Sequence, residues 1–252
     1  MQPPYLYTEA EYEQLVLYAL ANWRPVFYPN ALEEGETILW RHDVDYSPQR
    51  ALALAEIEYR HGLKATYFFQ FRSFFYNLLE PGMDGILRRI QAYGHSIGLH
   101  FDPTLYEDRI SPQKDMAHFL GVEKRLLEEC FELSIEAFSL HNPTLIDPVF
   151  DQRIHEMAGL VNAGSHKIAE CYVYVSDSRG GWRRDDGPRL LLERSELKLH
   201  ILTHPWRWTP KPESVEGMML RHVEGLAKKK RRQALEIAAS WAGSIAAPQG
   251  DL

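Results

Sequence analysis

Short runs of apolar and aromatic residues alternate along the chain with stretches whose apolar positions recur every three or four residues. The runs read as buried strands and the spaced stretches as amphipathic helices. The pattern predicts a helix over 8–22, capped by Thr8 and acidic in its first turn. A strand follows over 37–45. Ser47-Pro48 then opens a helix that runs to Arg60 and is closed by Gly62. Further strands are expected over 63–71, 96–101, 135–140, 160–163, 172–176, 189–192 and 197–203. Between them come helices near 85–93, 112–131 and 148–157, and a long helix or helix pair fills 213–243.

Strands alternating with helices predict a parallel α/β sheet, and this many units predicts barrel-like closure of a single domain over 1–252. In such barrels the chemistry sits where strands run out into loops that lead to helices. The polar residues at those points are Asp43 and Asp45, His100 and Asp102, His141 and Asn142, Asp177, and His204. Five strand ends thus carry chemically capable groups, while the strand starts carry few.

Asp43 and Asp45 stand two residues apart on one strand, so both project from one face, about 7 Å apart along the chain, and His42 and Val44 point the other way. Two carboxylates so placed repel unless a cation shares them. A divalent cation held by one would leave the other free to act as a base. The bland alternative is a pair of capping aspartates near Ser47. His95 and His100 are separated by roughly 16 Å of strand and face opposite ways, so they cannot share one ion. His100, at the strand end, is the better ligand, since neutral imidazole suits zinc and similar metals; His95 reads as structural. His141 is a third ligand, a group that orients the base, or a plain turn histidine beside Asn142-Pro143. Of His200 and His204, only His204 ends its strand, and it suits a general acid.

Tyr46, Phe101, Tyr106, Trp182, Trp206 and Trp208 fall in or beside these loops, where aromatic faces suit sugar rings; ordinary core packing is the alternative. The run Lys228-Lys229-Lys230-Arg231-Arg232 reads as the solvated face of a late helix, or as a docking patch for an anionic membrane or anionic substrate.

Composition narrows the classes. The 252-residue chain carries a net charge of −7, which argues against a general nucleic-acid binder. Two cysteines are too few for a disulfide framework and fit a reducing compartment. The opening MQPPYLYTEAEYEQ lacks a basic n-region and an apolar h-region, and no stretch is apolar for long enough to span a bilayer. A cytoplasmic location is expected, with membrane contact, if any, peripheral and through Lys228–Arg232.

Over roughly 37–208 these residues resemble the polysaccharide deacetylases, carbohydrate esterase family 4, which share the NodB-homology domain. Arg41-His42-Asp43-Val44-Asp45 looks like the HDVD form of that family's first motif. The resemblance implies a distorted (β/α)7 barrel, here with extra N- and C-terminal helices, with Asp43 as catalytic base and Asp45 as metal ligand. Gly94-His95-Ser96-Ile97-Gly98-Leu99-His100 is similar to the run into the second motif, with His100 as the first of two ligand histidines. The second position falls at Thr104. In the third motif, where the family usually has an arginine that orients the base, His141-Asn142-Pro143 stands instead. His141 therefore either replaces the lost ligand or takes the orienting role. Asp177 and Trp182 match a rim motif, and with Tyr46 and Trp206 are expected to bind substrate. Leu202-Thr203-His204-Pro205 resembles the last motif, whose histidine is the general acid.

The expected function is metal-dependent removal of an N-acetyl or similar acyl group from a sugar, with zinc the first choice of divalent metal. Without an export signal, the expected setting is surface polysaccharide or O-antigen biosynthesis, on nucleotide-linked or lipid-linked sugars. A carbohydrate-binding pseudoenzyme, a small-amide hydrolase and a DxD glycosyltransferase are the alternatives.

Overall fold

The structure, a computed structural model, describes residues 6–106, 113–142, 152–178, 182 and 198–246. In chain order these form α1 (Glu9–Asn22), β1 (Arg24–Pro25), β2 (Thr37–Val44), α2 (Pro48–His61), β3 (Thr66–Phe69), α3 (Met83–Ala92), β4 (Ser96–Phe101), α4 (Gln113–Phe131), β5 (Ala137–Leu140), β6 (Glu156–Met157), β7 (Leu160–Asn162), α5 (His166–Cys171), β8 (Val173–Ser176), β9 (Leu199–Thr203) and α6 (Val215–Ala246). The chain falls into two compact units, Met1–Pro212 and Glu213–Leu252. Among the described residues no helix is long and apolar enough to cross a membrane.

Among the described residues, seven strands lie side by side in parallel, in the order β7-β5-β4-β3-β2-β9-β8. β6 pairs antiparallel with β7 at one edge, and β1 pairs with β2 off this row. This is the parallel α/β sheet that the alternation predicted, and its seven parallel strands match the distorted (β/α)7 barrel implied by the resemblance. The helix ends follow the sequence signals. Thr8 and Glu11 form a capping box, Ser47 accepts from the Arg50 amide, and Gly62 takes φ 82° past the end of α2.

One expectation changes, one element is new, and one alternative is decided. Within the expected helix 148–157, Glu156–Met157 is a strand, held by pairing with β7 across a tight turn at Ala158-Gly159; 148–151 lie outside the described residues. The short helix α5 was not foreseen, because six residues carry too little periodicity. The long C-terminal element is one helix of 32 residues. The strand expected over 189–192 lies outside the described residues.

β2 is buried along its whole length, and its alternate side chains serve two layers. Ile38, Trp40 and Val44 join the core shared with the helices, while Leu39 joins a second cluster with Tyr28, Phe68, Ala137 and Ile168. That second cluster is tight. A Cβ added at Gly98 would meet the Phe68 ring at 2.5 Å, which is why β4 carries glycine there. His42, facing the helices, lies 2.6 Å from the buried Glu58 carboxylate on α2. Glu58 also accepts from the hydroxyls of Tyr12 and of Tyr67, the latter at 2.7 Å. The other His42 nitrogen is 2.8 Å from Thr203 on β9. His95 belongs to this layer, as expected, between the Ala65 amide and the Ala55 carbonyl. Removing the carboxylate would leave several buried polar groups without their partner. Glu58→Ala should therefore lower stability by about 3–5 kcal/mol in denaturant melts; an unchanged midpoint would show that the network does not fasten α2 to the barrel.

Candidate active site

Arg41, Asp43 and Asp45 follow one another on the inward face of β2 and the loop just past it. The Arg41 guanidinium grips Asp43 with two bonds, Nε to Oδ1 and Nη2 to Oδ2, both 2.8 Å. Both partners are buried. Burial favours the neutral carboxyl, but the Arg41 charge outweighs it and holds Asp43 below the usual carboxylate range. Arg41 is the residue that sequence reasoning missed. Its signal was present, since a residue two before an aspartate on a strand shares its face.

β4 and β5 supply the next groups in register, His100 opposite Ser139. The Ser139 hydroxyl is 2.7 Å from His100 Nδ1 and reaches Asp43 Oδ1 at 3.4 Å. A hydroxyl that gives its proton to Asp43 accepts from Nδ1–H, which leaves the Nε2 lone pair of His100 facing Asp45. His100 Nε2 lies 3.3 Å and His141 Nδ1 3.4 Å from Asp45 Oδ1, and the two nitrogens are 3.2 Å apart. The Asn142 carboxamide, on a residue at φ 46°, sits 2.9 Å from the other His141 nitrogen.

These three donor atoms form a nearly equilateral triangle. Two ligands bound to zinc at about 2.0–2.1 Å and at the tetrahedral angle stand about 3.3–3.4 Å apart, so the triangle has the edge lengths of one face of a zinc coordination shell. Asp45 Oδ1 is buried and has no hydrogen bond of good geometry, as expected of an atom shaped for a cation. Burial favours a neutral Asp45, but the facing imidazoles of His100 and His141 hold its carboxyl well below the usual range. One carboxylate and two histidines fit a divalent metal of the zinc class. Asp43 is less free to join them, because Arg41 occupies both of its oxygens. Thr104 gives its amide and hydroxyl to Asp102 Oδ1 at 3.0 and 2.6 Å.

His204, at the end of β9, presents Nε2 to Asp45 Oδ2 at 3.7 Å and Nδ1 to Asp177 at 2.5 Å. Asp177 is fully buried. It also accepts from the His204 amide and, at 3.0 Å, from the Trp208 indole. Burial disfavours a charged His204, but Asp177 outweighs it and lifts the imidazole to about 9. Asp177 thus stands behind His204 rather than at the rim where it was expected.

The aromatic expectation divides in the same way. Tyr46 and Trp206 line a cavity of about 640 Å³ together with Asp45, His100, His141 and His204. Their rings are 5.0 Å apart, and Tyr46 leans on Phe75 at 4.1 Å. Phe101 and Tyr106 instead stack inside the core with Phe119. Trp208 is fully buried, and Trp182 packs against it at 6.0 Å. Composition marks aromatics near a site but not which way they face.

No protein-family model and no curated protein matches the sequence. Among solved structures, the chain is similar to a CE4 family pseudoenzyme from Bacillus anthracis, at 16% identity and a TM-score of 0.40, covering 80% of this chain and 65% of that one. It is also similar to the chitin deacetylase of the fungal pathogen Colletotrichum lindemuthianum, at 15% identity and 0.40, covering 80% and 86%. A mutant of the Bacillus pseudoenzyme with restored enzymatic activity matches at 15% identity and 0.38, covering 82% and 67%. The chain thus spans about two thirds of the length of the Bacillus protein.

His200, two turns of the strand pattern inward from the rim, lies 2.9 Å from the Tyr28 hydroxyl. Burial, helped by the nearby Arg41 charge, pushes its imidazole down to about 3. The unfolded chain takes up this proton near the ordinary histidine value of 6.5. The neutral ring therefore supports folding fully above that pH, and the support is lost as pH falls toward 3. In a histidine NMR titration His200 should stay neutral down to pH 5. A midpoint near 6.5 would contradict its buried position.

Proposed function

We propose that this chain is a metal-dependent hydrolase that removes an N-acetyl or similar acyl group from a sugar, in the manner of the polysaccharide deacetylases. The observation that carries this reading is the division of labour between two neighbouring carboxylates. Asp43 is locked by Arg41, while Asp45 shares its free oxygen with His100 and His141. Asp45, His100 and His141 would hold the ion, with zinc favoured by the donor set and by the spacing of the donors. Once bound, such an ion polarises the acyl carbonyl and acidifies water.

The chain's own groups supply the proton transfers. Asp43, kept ionised by Arg41, takes a proton from the attacking water. His204, kept charged by Asp177, gives its proton to the departing nitrogen. Water thereby adds to the acyl carbon, the C–N bond breaks, and a carboxylic acid and a sugar amine are released. Tyr46 and Trp206 offer aromatic faces for the sugar ring, while Asp177 and Trp182 both lie against Trp208. The setting favoured is the making of surface polysaccharide or O-antigen, in the cytoplasm, on nucleotide-linked or lipid-linked sugar. A pseudoenzyme that binds carbohydrate is the second reading, favoured by the commitment of Thr104 to Asp102.

Metal analysis and a deacetylation assay, read together, separate these. Asp45→Ala should lose both bound zinc and turnover. Asp43→Asn should keep near-stoichiometric zinc yet lose turnover by at least a hundredfold. Arg41→Lys, which keeps the charge but not the fork, should keep zinc and lose at least tenfold in kcat. Zinc in the wild type without turnover on any acylated amino sugar would favour the pseudoenzyme. Robust turnover by Asp43→Asn would remove Asp43 from the mechanism.

A further inference from the structure

Helix α6 has a composition unlike the rest of the chain. Its 32 residues hold six cations, Arg221 and the run Lys228–Arg232, against three carboxylates, Glu216, Glu224 and Glu236. The surplus is three positive charges in a protein whose net charge is −7. The same helix exposes large apolar side chains. Leu220, Val223, Leu235 and Ile237 are exposed, and Trp241 is 67% accessible.

The apolar residues are not scattered. Val223, Leu226, Ala234, Ile237 and Trp241, with Lys230 in the middle, follow one another at steps of three or four and so share one stripe along the helix. Lys229 and Arg231 fall about 100° to either side of Lys230, and Lys228 and Arg232 lie farther round the helix. An apolar stripe flanked by cations, with a tryptophan near one end, is the arrangement of a helix that lies in the plane of a bilayer surface. There the ring and the aliphatic side chains enter the headgroup boundary. The lysines and arginines bend their charged ends back toward lipid phosphates.

From this we infer that α6 docks the protein on an anionic lipid bilayer. Charge complementarity selects this occupant over two others. A nucleic-acid backbone would engage the cations but has no use for Trp241, Ile237 and Val223. Pairing with a second copy through the stripe would bury Lys230, and in a parallel pair would set the two five-cation runs against each other. Only a lipid surface satisfies both halves of the helix. The inference stands independently of the chemistry assigned to the barrel. The phosphate of an anionic headgroup is the ligand chemistry, and free phosphate lacks the apolar layer that the stripe requires.

The test is flotation of the full chain with large unilamellar vesicles, either phosphatidylcholine alone or phosphatidylcholine with about 30% phosphatidylglycerol, a content high enough to give a strong surface potential. The wild type should float with the anionic vesicles and stay behind with the neutral ones. Rising salt should weaken the binding. The triple variant Lys229→Glu, Lys230→Glu, Arg231→Glu should lose at least tenfold in vesicle affinity. Trp241→Ser should lose severalfold at unchanged charge. Both variants alter exposed or half-buried helix positions, and a far-ultraviolet spectrum with a thermal melt verifies their folding. Equal binding to both vesicle types, no binding to either, or full binding by the folded triple variant would overturn the inference. So would a wild-type dimer that these substitutions dissociate, or retention on a mixed-sequence DNA column that Trp241→Ser leaves unchanged.

Discussion

The bidentate pair between Arg41 and Asp43 is the interaction on which the rest of the site depends. Without it, β2 would deliver two equivalent carboxylates, each as able as the other to bind an ion or take a proton. With it, Asp43 is ionised and clasped through both oxygens while keeping a lone pair for a proton, and Asp45 turns an unsatisfied oxygen toward His100 and His141. The pairing is intrachain and short in sequence, so β2 carries its own asymmetry wherever it is placed. The charge that Arg41 neutralises is a buried one, and in the interior such a pair tolerates no loss of either partner. A second pair repeats the device. Asp177, wholly buried, fixes the ring of His204 and keeps it charged. Asp43 and His204, the two groups proposed to move protons, are thus each held by an oppositely charged group behind them, and both face the triangle of Asp45, His100 and His141.

The outer face of β2 explains how the inner face is held still. His42, between Arg41 and Asp43 in sequence, points into the helix layer, where Glu58 and Thr203 take its two nitrogens. Thr203 is the neighbour of His204. One buried imidazole therefore ties the backbone that carries Asp43 to the backbone that carries His204, and both to α2. Parallel strands have no direct hairpin to fix their relative height, so such cross-links on the far face help to set the register at which the site converges.

Much of this could be read from the chain, and the reasons for the successes and the misses are physical. The strands 37–44 and 96–101 announce themselves because a strand in the middle of a parallel sheet is apolar on both faces, and polar residues stand out where it ends. That is how Asp45, His100, His141 and His204 were legible. Arg41 was not, because a charge inside such a run gives no sign of its partner until the face it shares with Asp43 is weighed. Ser139 is silent for the same reason, since its role depends on lying opposite His100 on another strand. Phe101, Tyr106 and Trp208 were placed near the cavity by sequence and proved to be core. Their proximity in sequence to strand ends says nothing about direction. β6 and α5 are too short for periodicity to mark them.

The account stands or falls on which carboxylate faces the ion. The direct measurement is a crystal structure of the zinc-soaked protein with anomalous diffraction recorded on either side of the zinc edge. One peak should appear within bonding distance of Asp45, His100 and His141, with Asp43 still clasped by Arg41 and contributing no ligand. A peak ligated by Asp43, with Arg41 displaced, or no peak at the triangle at saturating zinc, would contradict it.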